Sequence, residues 1–103
     1  MSFVTIRPEM LSSAAGDLAS FGSALSAQNA AAAAPTTGLI PAAADEVSAL
    51  TAAQFSMHAQ LYQAVSAQAE AIHDQFVAVL ASSAISYAAT EAANAMTTRL
   101  GGV

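Results

Sequence analysis

Residues 47–80 read VSALTAAQFSMHAQLYQAVSAQAEAIHDQFVAVL. No proline or glycine interrupts them, and their large apolar residues recur at helical spacing. At about 100° per residue, Val47, Leu50, Phe55, Met57, Leu61, Tyr62, Val65, Ile72, Phe76, Val79 and Leu80 fall within an arc of roughly 160°. Asp45, Ser56, Gln63, Glu70 and Asp74 fall on the opposite side, while Val77 and Ile85 lie off the arc. The pattern predicts one long helix from about residue 43 to about residue 84, introduced by Pro41 and the acids Asp45 and Glu46. One neighbouring helix covers only a narrow strip of so wide an arc. If half a dozen large side chains stay uncovered at ~100 Å² each, ~15 kcal/mol of burial is unrealised. That equals the whole stability of a small domain, ~5–15 kcal/mol.

Upstream, a second helix is expected over about residues 8–33. Pro8 suits the first helical position, where a missing N–H costs nothing. Glu9 follows in the first turn, favourable for the helix dipole. Leu11, Ala14, Leu18, Phe21 and Leu25 are spaced 3, 4, 3, 4, a narrow heptad seam. Ala15, Gly22 and Ser26 beside it are small enough for close helix approach. Pro35 disfavours helix at Ala34, so residues 34–42 are read as the connecting loop. Past Ser82-Ser83 the pattern weakens, and residues 85–103 are read as a tail that contains Gly101-Gly102. The expected fold is all-α: an antiparallel hairpin of two long helices, completed to a four-helix bundle by a partner.

Composition agrees. The 103 residues allow one small domain, and about a quarter of them are alanine, the best helix former. The net charge is −5, with two Arg and no Lys, which excludes phosphate neutralisation on nucleic acid and a basic membrane-surface helix. Only 9% of residues are charged, few for a free surface. There is no cysteine, hence no disulfide and no thiolate metal site. Met1 to Met10 carries no cationic and apolar regions of a general secretory signal. The charge-free stretches Leu18 to Ala44 and Val47 to Ala69 hold prolines or glutamines, so no stable transmembrane span is expected.

Enzyme constellations fail. Glu70-x-x-His73 is half of a carboxylate-bridged di-metal site without the other half. His58 and His73 are about 22 Å apart along one helix, too far to share a metal. No nucleophile elbow or phosphate loop is present, so catalytic, cofactor and metal residues are all expected to be none. His58, between Phe55 and Tyr62 on the arc, reads either as a half-buried histidine or as a polar pin that sets partner register. The candidate partner interface comprises Leu11, Leu18, Phe21 and Leu25 from the first helix. From the second it takes Phe55, His58, Tyr62, Val65, Ile72, Phe76, Val79 and Leu80.

Three stretches resemble a known family. Met-Ser-Phe-Val at the start, followed by Pro8-Glu9, is similar to the signature of the mycobacterial PE proteins, named for that Pro-Glu pair. Pro35-Thr-Thr-Gly38 through Pro41-Ala-Ala-Ala-Asp45-Glu46-Val47-Ser48 resembles the family's loop and second-helix start. Tyr87-Ala-Ala-Thr-Glu91 resembles the Tyr-x-x-x-Asp/Glu pattern of type VII secretion substrates. The resemblance implies a one-to-one heterodimer with a PPE-family protein, two helices from each chain forming the bundle. It implies export by the type VII machinery to the cell surface or beyond, without a cleaved signal, with Tyr87 and Glu91 as the secretion signal. The PPE partner would supply a Trp-x-Gly turn, since this chain has no Trp, and a cytosolic chaperone would hold that partner. The short chain is expected to lack the Gly-rich or hydrolase extensions of longer relatives, and with them any lipase activity. The alternatives are a self-dimerising hairpin of the small Trp-x-Gly type, and a membrane-active component acting with its partner.

Overall fold

The computed structural model describes residues 6–101. Met1 to Val4 of the signature and Gly102 of the expected tail lie outside them. Two helices occupy almost all of this span, α1 over Pro8–Thr37 and α2 over Glu46–Gly101. At α1's start, Pro8 takes the first helical position with Glu9 in the first turn, and the Met10 N–H donates to the Arg7 carbonyl at 3.0 Å. The Pro-Glu pair is therefore a helix-initiation device. The exposed Arg7–Glu9 ion pair, 3.5 Å between Nε and Oε1, adds little.

Both helices outrun their expected ends. α1 continues through Pro35 to Thr37 instead of stopping near residue 33. Proline sits in the last turn, where only one intrahelical bond is forfeited. The threonine hydroxyls add bonds to the same turn: Thr36 Oγ1 donates to the Ala32 carbonyl at 2.6 Å and Thr37 Oγ1 to that of Ala33 at 2.7 Å. The Gly38 N–H then donates to the Ala34 carbonyl at 3.1 Å and closes the end. The connection is thus residues 38–45 rather than 34–42. α2 begins at a cap, with the Ser48 N–H donating to Asp45 Oδ1 at 3.3 Å. The Ser48 side chain, foremost among these contacts, holds the exposed Asp45 carboxyl below its ordinary pKa. From there α2 runs to Gly101, so residues 85–101 are helix and not the expected tail. Ser82 and Ser83 interrupt the apolar pattern but not the helix, because alanine continues it and no breaker precedes Gly101.

The chain divides into two compact units. One joins the start of α1, as far as Ser20, to α2 from Asp74 onward; the other is Phe21–His73. In the second unit the helices run antiparallel, since successive cross-contacts climb α1 while descending α2. Gly22 meets His73, Ser26 Oγ donates to Glu70 Oε2 at 3.3 Å, and Tyr62 Oη donates to Asn29 Oδ1 at 2.8 Å. Gln63 Nε2 donates to the Asn29 carbonyl at 3.0 Å, and the Leu39 N–H to Ser56 Oγ at 3.4 Å. Ala52 is buried here too. In the first unit the buried residues are Ala15 and Ala84, with Leu11, Leu18 and Val77 half-buried.

In the Phe21–His73 unit the seam between the helices is therefore small and polar, contrary to the heptad reading of α1. Leu11, Ala14 and Leu18 are half-buried as that reading requires, but Phe21 and Leu25 are 69% and 58% exposed. Gly22, Ser26 and Asn29 take the inward places instead. On α2 the inward face is the one holding Ser56, Gln63 and Glu70, and of the arc from Val47 to Leu80 only Leu80 is as much as half-buried. The cause is steric. Long helices approach closely only where both present small side chains, and the bulky arc keeps to the outside.

Gly22 makes one such approach. A Cβ there would lie 2.7 Å from His73 Cδ2 and Nε2, and His73 has partners of its own. Gly22→Ala gains about 1 kcal/mol of helix propensity but overpacks the seam, at a typical cost of 1–3 kcal/mol. We expect Gly22→Ala to lower the thermal unfolding midpoint, and the same substitution to raise it in a His73→Ala background. The same sign in both backgrounds would show that the ring does not need the gap.

Candidate partner-binding face

The apolar residues expected to meet a partner are placed differently in the two units. In the Phe21–His73 unit, α1 exposes Phe21 and Leu25, while α2 exposes Phe55, Tyr62, Val65 and Ile72, each 50–69% accessible. His58 is exposed in the same arc. In the other unit, Leu11, Leu18 and Leu80 are half-buried, whereas Phe76 and Val79 are 56% and 65% exposed. Val47, Leu50, Met57 and Leu61 extend the exposed set along α2. Buried apolar residues among those described are three alanines, Ala15, Ala52 and Ala84. In the Phe21–His73 unit the large side chains that make a core in an ordinary domain are exposed. The eight exposed arc residues of α2 within the Phe21–His73 unit offer roughly 800 Å², at ~100 Å² each, comparable to the ~800 Å² that each partner gives to a standard interface.

Tyr87 and Glu91 stand one turn apart on continuous helix, Tyr87 46% exposed and Glu91 half-buried. An i, i+4 pair lies on one side of a helix, so the aromatic ring and the carboxylate form one handle. A shallow groove beside Tyr87 is lined by Val79, Ser82, Ser83, Ser86 and Thr90. Small hydroxyl residues flanking a tyrosine leave its ring accessible from the side.

Sequence reasoning singled out His58 as the polar residue of interest and missed Asn29. Asn29 is 8% exposed, and it accepts from both Tyr62 and Gln63. The available signal was a single asparagine inside the alanine-rich end of α1, where a residue of poor helix propensity needs a reason. Among the described residues no three His, Cys, Asp or Glu side chains converge on a metal position. By length and composition alone, α2 contains an 18-residue stretch apolar enough to cross a membrane. The sequence reading did not anticipate it, having weighed the glutamines against a span while alanine kept the average apolar.

Residues 4–94 match the PE family. The chain is 70% identical over 95 residues to PE family protein PE13 of Mycobacterium tuberculosis, covering 92% of this chain and 96% of that one. It is 60% identical over 95 residues to PE-PGRS family protein PE_PGRS33 of the same species, covering 92% of this chain but 20% of the longer protein. Over 94 residues it is 60% identical to the uncharacterized PE-PGRS family protein PE_PGRS20, again covering 20% of it. With the family match over residues 4–94 and a relative matched over 96% of its length, the chain belongs to the PE family.

Proposed function

We propose that this protein is a non-enzymatic interaction module that pairs one-to-one with a PPE-family protein and leaves the cell with it through type VII secretion. One observation carries the reading: in the Phe21–His73 unit α1 packs on the small, polar face of α2 and leaves the bulky apolar arc exposed. A partner that contributes two helices would cover that arc and complete a four-helix bundle. Export would be read from Tyr87 and Glu91, and a cytosolic chaperone would engage the pair through the PPE chain.

Expressed alone, the chain is expected to be insoluble, oligomeric or poorly folded. Co-expressed with its PPE partner it should give a soluble one-to-one complex. Size-exclusion chromatography with light scattering separates these outcomes, and a monodisperse, cooperatively melting monomer at micromolar concentration would sink the proposal. The apolar stretch in α2 favours a second reading, in which the pair also acts on membranes. Dye leakage from liposomes treated with the purified complex tests it, and intact liposomes would remove it.

A further inference from the structure

An alanine-rich seam is poor at specifying register. Small side chains recur along both inward faces, so a slide by one helical turn replaces one set of Ala and Ser contacts with a similar set. The eight-residue connection, residues 38–45, is long enough to absorb such a slide of about 5 Å. Alignment must then come from the contacts that do not repeat. In the Phe21–His73 unit these are the close Gly22–His73 approach, the Ser26–Glu70 bond and, most buried of all, the contacts of Asn29, the one buried polar side chain among the described residues. Asn29 accepts from the Tyr62 hydroxyl at 2.8 Å through Oδ1 and from Gln63 Nε2 at 3.0 Å through its carbonyl. A shifted register would leave the buried Asn29 side chain without its donor, a loss that a slid alanine contact does not incur.

Tyr62 belongs to two surfaces at once. Its hydroxyl is held in the seam, while its ring is half exposed in the apolar arc near Val65. We infer that the Asn29–Tyr62–Gln63 cluster is a register lock: its polar contacts set which part of α1's exposed face, Phe21 and Leu25, stands beside which part of α2's, and so shape the surface offered to a partner. The consequence for binding rests on the proposed pairing with a PPE protein, whereas the register itself does not. Asn29, Tyr62 and Gln63 act here as positioning residues.

The test separates the two. The full chain contains no cysteine, so spin labels can be placed cleanly at Ser23→Cys and Ala53→Cys, both exposed in the same unit. Ser23 lies near the level of His73, twenty residues from Ala53, so the labels are offset axially by roughly 30 Å and a one-turn slide changes their distance by about 5 Å. Labelled chain is diluted in excess unlabelled chain, so that only intramolecular distances are read even in an oligomer. Tyr62→Phe with Gln63→Met removes both donors at nearly constant shape. Electron–electron double resonance should show a single distance for the otherwise unaltered chain and an added population displaced by about 5 Å for the variant. Asn29→Ala, which removes the acceptor side chain, should give the same second population. An unchanged single distance in both variants, with helicity retained by circular dichroism, overturns the lock. If one variant loses its helicity, the other decides. In parallel, the PPE-family chain that co-purifies with the unaltered protein should bind the double variant at least tenfold more weakly. A displaced register with undiminished binding overturns the link to recognition. If no PPE chain binds even the unaltered protein, the proposed function fails while the distance measurement still judges the lock.

Discussion

Replacing Phe76 with aspartate is expected to abolish co-purification with the proposed PPE partner while leaving the chain's own hairpin nearly as it was. The asymmetry follows from where the ring sits. Phe76 is 56% exposed, so within this chain the substitution forfeits little packing. In the complex the same position would be covered, and two losses combine there. The ring's burial, ~100 Å², is worth ~2.5 kcal/mol, and an unpaired carboxylate placed in an apolar interface costs several kcal/mol more. Together these exceed what a micromolar complex can lose and still survive a purification. The readout is co-purification of tagged partner, with helicity measured in parallel. Retained binding at full strength would mean that α2 meets its partner through another face.

The control has to be chosen from the structure. Glu70 lies opposite the apolar arc and on sequence grounds alone should be inert to substitution. That expectation concerns the partner; within the hairpin α1 occupies this side and Ser26 donates to Glu70 at 3.3 Å. Glu70→Ala removes the acceptor of a half-buried cross-helix bond and should cost the hairpin about 1 kcal/mol. Asp74, exposed on the same helix, is the neutral comparison. Equal loss of binding in Phe76→Asp and Asp74→Ala would place the partner on the wrong side of the arc.

The two helices were legible because proline, glycine and capping residues punctuate a chain that alanine otherwise keeps helical. The ends were less so. Pro35 reads as a stop only if the last turn is ignored, and a weakened apolar pattern after Ser83 says nothing about helix when alanine carries it. The wide arc was also legible from period alone. What periodicity could not reveal is which face meets the other helix. The usual inference sends large apolar residues to the nearest neighbour, and here Ala15, Gly22, Ser26 and Asn29 win that place. A hairpin that leaves its bulky arc exposed inverts the rule, keeping small residues for its own seam. Asn29 went unnoticed because a single amide acquires meaning only when the Tyr62 hydroxyl, thirty-three residues away, is seen to reach it.

Tyr87→Ala is expected to block export of both partners while the pair stays intact inside the cell. The helix itself should tolerate the change, since alanine is the best helix former and Tyr87 lies well within α2. Association should tolerate it as well. Phe55, Tyr62, Val65, Ile72, Phe76 and Val79 are all exposed along α2 and available to a partner, so one further half-exposed ring is worth only about 1–2 kcal/mol of binding. Recognition by a secretion machine has no comparable redundancy. It would rest on one ring and one carboxylate a turn apart, and removing the ring leaves Glu91 as an ordinary surface acid. The experiment is paired, with culture-filtrate abundance and intracellular co-purification followed for the unaltered protein, Tyr87→Ala and Glu91→Ala. Normal export of Tyr87→Ala would reduce the Tyr-x-x-x-Glu spacing to a chance match. Dissociation of the pair inside the cell would instead make Tyr87 an interface residue, its hydroxyl facing water and its ring held against the partner. Export lost with the complex preserved is the outcome that the geometry supports, because only then do the arc and the handle along α2 act separately.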